Sequence, residues 1–175
     1  MTVPIILGRG GPNDKQSIEL ETRKKTRIPN ERRQERAPDS MREAVRILTG
    51  QFPEARLLSA TAVYNCYGLA FASRRTWILD EEDVRRILSD DGFQPLHWDP
   101  RIWEAGDIVL YGSEATRSID HVAVIVEKVW RHDGTVEKVL VVSAWGADGE
   151  YLHPMSAVPT LLGQPYQVVS QRVVL

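Results

Sequence analysis

One cysteine occurs in the 175 residues, Cys66 in "NCYGLA", and a short apolar run follows it. A thiol at the first turn of a helix stands where unpaired backbone N–H groups favour an anion. The sequence therefore predicts a nucleophilic thiolate of lowered pKa. Backbone donors near the same turn can serve an oxyanion formed during acyl transfer. Such a nucleophile needs a base. His121 opens "HVAVIV" after the polar loop "SEATRSID", at the start of a predicted strand where a histidine can supply one. Tyr64 and Asn65 precede the cysteine and either donate to the oxyanion or cap the helix, asparagine being a favoured cap.

A base is oriented by a third polar group, and two residues compete for that role. If Arg131 pairs with Thr135 across a three-residue loop, His121 lies opposite Trp145 and shares a face with Ser143. A loop of two or four residues would instead set His121 on the face of Ala144. His153, in "GADGEYLHP", is the alternative to Ser143. Trp145 flanks this strand as a substrate contact, ahead of Trp98 and Trp103, which also suit a plug at the core edge. His97 and His132 read as structural or exposed. No His-x-x-x-His or Cys-x-x-Cys spacing and no strand–glycine-loop–helix phosphate motif occurs, so no metal or cofactor is expected.

The elements that must position these groups change period half-way along the chain. "DSMREAVRILTGQF" predicts a helix capped by Asp39 or Ser40 and stopped by Gly50; a second should run from Asn65 or Cys66 to about Ser73. "DEEDVRRILSDDGF" predicts a third, with acidic residues in its first turn and Gly92 as its stop. The β-branched runs 106–112, 121–130, 136–146 and 166–175 then predict strands, and "RHDGT" a hairpin loop with Gly134 left-handed. Helices followed by an antiparallel meander make an α+β fold with helices packed on one face of a small sheet.

Residues 1–39 differ from the rest of the chain. Segment 21–36 carries seven Lys/Arg against three Glu, which predicts a flexible, solvated basic arm before a domain spanning 40–175. The net charge of −2 gives no field for nucleic acid or an anionic membrane, and a single cysteine makes no internal disulfide. The apolar patch Val3–Leu7 is too short for a signal or a membrane span, so synthesis as a soluble cytoplasmic chain is expected.

The cysteine at a helix start, then "EAGDIVLYG", "DHVAVIVE" and "VVSAWGADGEYLHP", resembles the papain-like NlpC/P60 and CHAP cysteine hydrolases over about residues 60–150. The resemblance implies Cys66 as nucleophile and His121 as base, without a cofactor, acting on amide bonds, often those of peptidoglycan stem peptides. The family commonly has Asp-Cys-Ser-Gly at the nucleophile where this chain has Asn65-Cys66-Tyr67-Gly68, so Tyr67 reshapes the groove. Without a wall-binding repeat or a cleavable signal, the pattern suits an antibacterial effector delivered by a signal-independent secretion system, or an intracellular amidase. An immunity or inhibitor protein would then be a partner, and the enzyme itself a monomer. A catalytically silent papain-like binding domain, or a deamidase or acyltransferase using the same pair, would show the same residues.

Overall fold

Helical spacing in "EEDVRRILSD" sets Val84 and Ile87 on one buried stripe, while the β-branched runs of the second half alternate between two buried faces. The computed structural model describes residues 17–172. In chain order these residues form α1 (Pro38–Gln51), β1 (Arg56–Ser59), α2 (Cys66–Phe71), α3 (Glu81–Asp90), β2 (Gln94–Pro95), β3 (Ile108–Gly112), β4 (His121–Trp130), β5 (Val136–Ala144), β6 (Glu150–Pro154), a 3-10 turn (Thr160–Leu162) and β7 (Gln164–Ser170). The fold is α+β. Its sheet has seven antiparallel strands in the order β1-β6-β5-β4-β3-β7-β2, so β3 to β6 form a meander and β7 returns beside β3.

The sheet is buried on both faces. On one, Leu110 and Val122 pack with Cys66 and Tyr67 of α2 and with Val84 and Ile87 of α3. On the other, Val109, Tyr111, Ala123, Ile125 and Val141 pack beneath Trp103 and Val158 of the connecting segments. Helices α2 and α3 thus cover one face, whereas loops cover the second together with α1, whose Leu48 packs with Trp145 and Tyr151, so the helices do not all share one face as the order of elements predicts.

The β4–β5 hairpin sets the register of the candidate residues. Arg131 donates its N–H to the Thr135 carbonyl at 2.8 Å, and Gly134 has φ +80°, so the three-residue loop forms as its sequence predicts. Two bulges interrupt the ladder. One lies between Ile125 and Glu127 on β4; the other, between Val129 and Trp130, leaves Glu137 of β5 without a partner. Each shifts the pairing by one residue in the opposite sense, so the register at Val124↔Val142 is the one the loop alone would give.

Three further features differ from expectation. α1 begins at Pro38 with Ala37 as an uncapped N-cap, because proline presets the first helical turn and Asp39 and Ser40 already lie inside it. Strands β1, β2 and β6 are too short or too polar to be read from periodicity. Residues 17–37 are not a solvated arm but a strap on the domain. Ile28 is 1% exposed within the helix-side core. Glu31 and Trp77 exchange main-chain hydrogen bonds of 3.0 and 2.8 Å, and the Arg33 guanidinium lies 3.8 Å from the Trp77 ring centroid. Glu35 accepts from Thr61 Oγ1 (2.6 Å) and the Ala62 N–H (2.7 Å). The basic residues find partners too: Lys24 with Asp90, Arg33 with Glu31, Arg36 with Asp148. The remainder of the predicted arm, residues 1–16, lies outside the described residues.

Candidate active site

Local sequence fixes where the thiol sits. Asn65 is the N-cap of α2, accepting from the Gly68 N–H at 3.0 Å while its amide donates to the Ile78 carbonyl at 2.7 Å. Gly68 is required for a close approach, since a Cβ there would stand 1.7 Å from the Thr76 carbonyl oxygen. Cys66 is thereby held as the first helical residue, packed on β4.

The Cys66 sulfur lies within hydrogen-bonding reach of the Val122 N–H, which favours the thiolate. Burial outweighs it. At 7% exposure the thiol is pushed up to about 11, not lowered as the sequence predicts. A six-residue helix supplies little dipole, and water is kept from the sulfur.

His121 is the first residue of β4 and is fully buried. Neither ring nitrogen has a hydrogen-bond partner among the described residues. The ring rests edge-on against Tyr111 of β3, 5.3 Å between centroids. Burial, reinforced by repulsion from His153, holds its pKa down at about 3, so the imidazole is neutral. Thiol and imidazole are therefore both neutral near the start of β4, the sulfur beside the Val122 N–H on the α2 face and the imidazole against Tyr111 on the opposite face, and no hydrogen bond joins them.

Ser143 and His153, alternatives in the sequence, are joined in the structure. The Pro154 carbonyl accepts from His153 Nδ1–H at 2.9 Å, which leaves Nε2 to accept the Ser143 hydroxyl proton at 2.8 Å. Ser143 Oγ in turn accepts from Trp145 Nε1–H at 3.0 Å. Continuing the observed register sets Ser143 against Ala123 on the face of His121, where His153, opposite Val141 on β6, also points. His153 is held neutral, its pKa lowered to about 4 by burial. The serine hydroxyl is committed to His153, and the Ser143–His153 bond leaves His121 as the one unsatisfied side chain of this cluster.

Comparison of the chain with protein-family models, with curated proteins and with solved structures finds no match.

The remaining sequence candidates have structural partners. Trp145 is 4% exposed, stacked on Tyr151 at 4.3 Å and edge-on to Phe52 at 5.2 Å, so it walls the Ser143 network and faces no open groove. Tyr64 donates to Glu150 at 2.5 Å, and Glu150 also takes two bonds from Arg74. Trp103 is fully buried with its N–H on the His97 carbonyl, whereas Trp98 is 53% exposed. His97 and His132 are exposed. No group of three or more His, Cys, Asp or Glu suited to a metal occurs among the described residues. No described helix is long and apolar enough to cross a membrane.

The contacts of two further residues escaped sequence reasoning, one beside Cys66 and one at the far end of β3 from His121. Tyr67 Oη donates to the Ile119 carbonyl, tying α2 to the loop that delivers His121. Asp107 of "GDIVLYG" accepts two bonds from Arg172 (3.2 and 2.8 Å) and one from the Glu104 N–H (2.8 Å), with Gly106 at φ +96° making the turn into β3. The Gly-Asp pair was the available signal, and its role is to start a strand.

Proposed function

We propose that the protein is a papain-like cysteine hydrolase that cleaves an amide bond in a peptide or isopeptide, with Cys66 as nucleophile and His121 as base. One observation carries this reading: at the start of β4 a buried imidazole without a hydrogen-bond partner is followed by Val122, whose main-chain N–H lies against the Cys66 sulfur. An unsatisfied buried polar atom costs on the order of 1–3 kcal/mol, a cost that a base awaiting a proton accounts for and a packing residue does not.

The chemistry starts from neutral groups. Cys66 Sγ attacks the carbonyl carbon as its proton passes to a His121 ring nitrogen, and the Val122 N–H offsets charge on the sulfur before the bond forms. The C–N bond then breaks, the imidazolium protonates the leaving amine, and a thioester remains on Cys66. Water attacks the thioester with loss of a proton to His121. A carboxylic acid departs and the sulfur recovers the proton. Ser143 and His153 hold the far side of the site and keep a second positive charge from forming there.

Purified peptidoglycan and unstructured peptides are the substrates to test, with products identified by mass spectrometry. New amine and carboxyl termini, abolished in both Cys66→Ala and His121→Ala, support the reading; absence of cleavage from both substrate sets counts against it. A protein deamidase or acyltransferase would use the same pair and leave a modified protein instead of a cleaved one. The 7% exposure of Cys66 and the full burial of His121 favour a second reading, a catalytically silent binding domain. Wild type that forms no thioester with an activated acyl ester, at any pH at which it stays folded, would select that reading.

A further inference from the structure

A cavity of about 480 Å³ opens on the face of the sheet that holds Cys66. Its floor is apolar: Leu110 of β3, Leu88 of α3, Ile119 and the ring of Tyr166 on β7. Leu110 and Ile119 belong to the core cluster that contains Cys66 and Tyr67, and Ile119 precedes His121 by two residues. The cavity therefore adjoins the candidate active site through the Tyr67–Ile119 hydrogen bond. Its size is that of pockets that enclose a small ligand or a substrate side chain.

The rim is charged, and its charges are not equivalent. Arg85 is held by Glu81 at 2.7 Å and Glu82 at 3.5 Å, and it donates to the Arg117 carbonyl. That bond clamps the loop in which Arg117 takes a left-handed backbone, φ +55°, costly for a side chain with a Cβ. The Arg117 guanidinium itself has no ion pair or hydrogen bond among the described residues, and it lies close enough to Tyr166 to bias its phenol. Glu114 stands on the same rim, so a bound anion must seat on the arginine side.

We propose that this cavity is a substrate-binding pocket for an apolar group carrying a carboxylate, such as an acidic or C-terminal residue of a peptide beside an aliphatic side chain. The apolar part fills the space over Leu110 and Ile119, and the carboxylate pairs with Arg117. As the specificity pocket of the hydrolase it rests on the function proposed above, but its binding chemistry is measurable without catalysis.

The test uses two probes that differ only in charge, 4-phenylbutyrate and 4-phenylbutyramide, titrated into the Cys66→Ala protein and followed by amide chemical shifts in NMR. The expected result is shifts at Ile119 and Gln167, with the carboxylate bound at least about threefold more tightly than the amide. Arg117→Ala should abolish that difference and Arg117→Lys restore most of it. Equal binding of the two probes, or shifts elsewhere only, overturns the pocket assignment. If the carboxylate is preferred but no peptide is cleaved by wild type, the pocket stands and the hydrolase reading fails. If peptides are cleaved with no preference for an acidic residue, the pocket is wrong and the hydrolase stands.

Discussion

The phenol of Tyr67 donates its hydrogen bond to the main-chain carbonyl of Ile119, so the residue after Cys66 anchors the loop that leads into His121. Tyr67 is 7% exposed and buries the contact between α2 and that loop. Where the resembled family commonly carries a small serine, this chain has a cross-brace.

Tyr67→Phe keeps the packing and strands the Ile119 carbonyl. The expected loss is about 1–2 kcal/mol in urea unfolding, with faster hydrogen exchange at residues 119–122. An unchanged exchange pattern would show that the brace does not hold the loop.

Two glycines give opposite predictions. Gly68→Ala places a Cβ 1.7 Å from the Thr76 carbonyl oxygen, with backbone on both sides, so destabilisation on the order of 3 kcal/mol or more is expected. Gly50→Ala meets nothing within 4 Å inside α1 and should stabilise by about 0.5–1 kcal/mol. Thermal unfolding of the two variants beside wild type decides both.

Acid should destabilise the fold in a defined window. His121 and His153 protonate near 6.5 when unfolded but only near 3 and 4 in the fold. The unfolded chain thus binds protons first as pH falls. Stability should be level between about pH 7 and 8 and decline from about 6.5 downward, by up to about 1.4 kcal/mol per pH unit for each histidine. His121→Leu should remove one histidine's share of that slope. It should also raise stability at pH 7 by about 1 kcal/mol, since an unpaired polar ring is replaced by an apolar side chain of similar size. If His121 is the base, the same variant loses cleavage. Urea titrations at pH 7.0 and 5.0 measure the slope.

The strap makes residue 40 a poor place to begin the domain. A chain of residues 38–175 lacks Ile28, the Glu31–Trp77 pairing and the Glu35 bonds to Thr61 and Ala62. Its melting temperature should fall by more than about 10 °C relative to residues 17–175, the shift expected for a loss of several kcal/mol at this size. Equal melting temperatures would mean the strap contributes little.

The parts of the fold that were legible are those governed by local chemistry. The β-branched runs marked the long strands, Gly134 marked the hairpin loop, and Asp80 and Asn65 cap α3 and α2 through their side chains. What stayed hidden depends on distant neighbours. The strap reads as polar and basic because it is held by main-chain and carboxylate bonds more than by apolar residues. The thiol's environment was misjudged for the same reason: a helix start predicts a lowered pKa, but the burial that raises it comes from β4 and the core around Val122. Ser143 and His153 looked like rivals because hydrogen-bond partnership across strands is not written in spacing.

The two opposed bulges of the β4–β5 hairpin have a consequence for how this protein tolerates change. Only the pairs Glu127↔Leu140, Lys128↔Val139 and Val129↔Lys138 are out of step with the rest of the ladder. Within that stretch Lys128 points inward and donates to the Trp103 carbonyl at 2.5 Å. The middle of the hairpin is therefore a self-cancelling insertion. Each bulge holds one spare residue, Val126 on β4 and Glu137 on β5, so removing either irons out its own bulge and leaves the pairs on both sides in register, with Ile125↔Val141 and Trp130↔Val136 unchanged. The hairpin can therefore lose a residue from either strand at these two positions while His121, Ser143 and His153 keep their alignment.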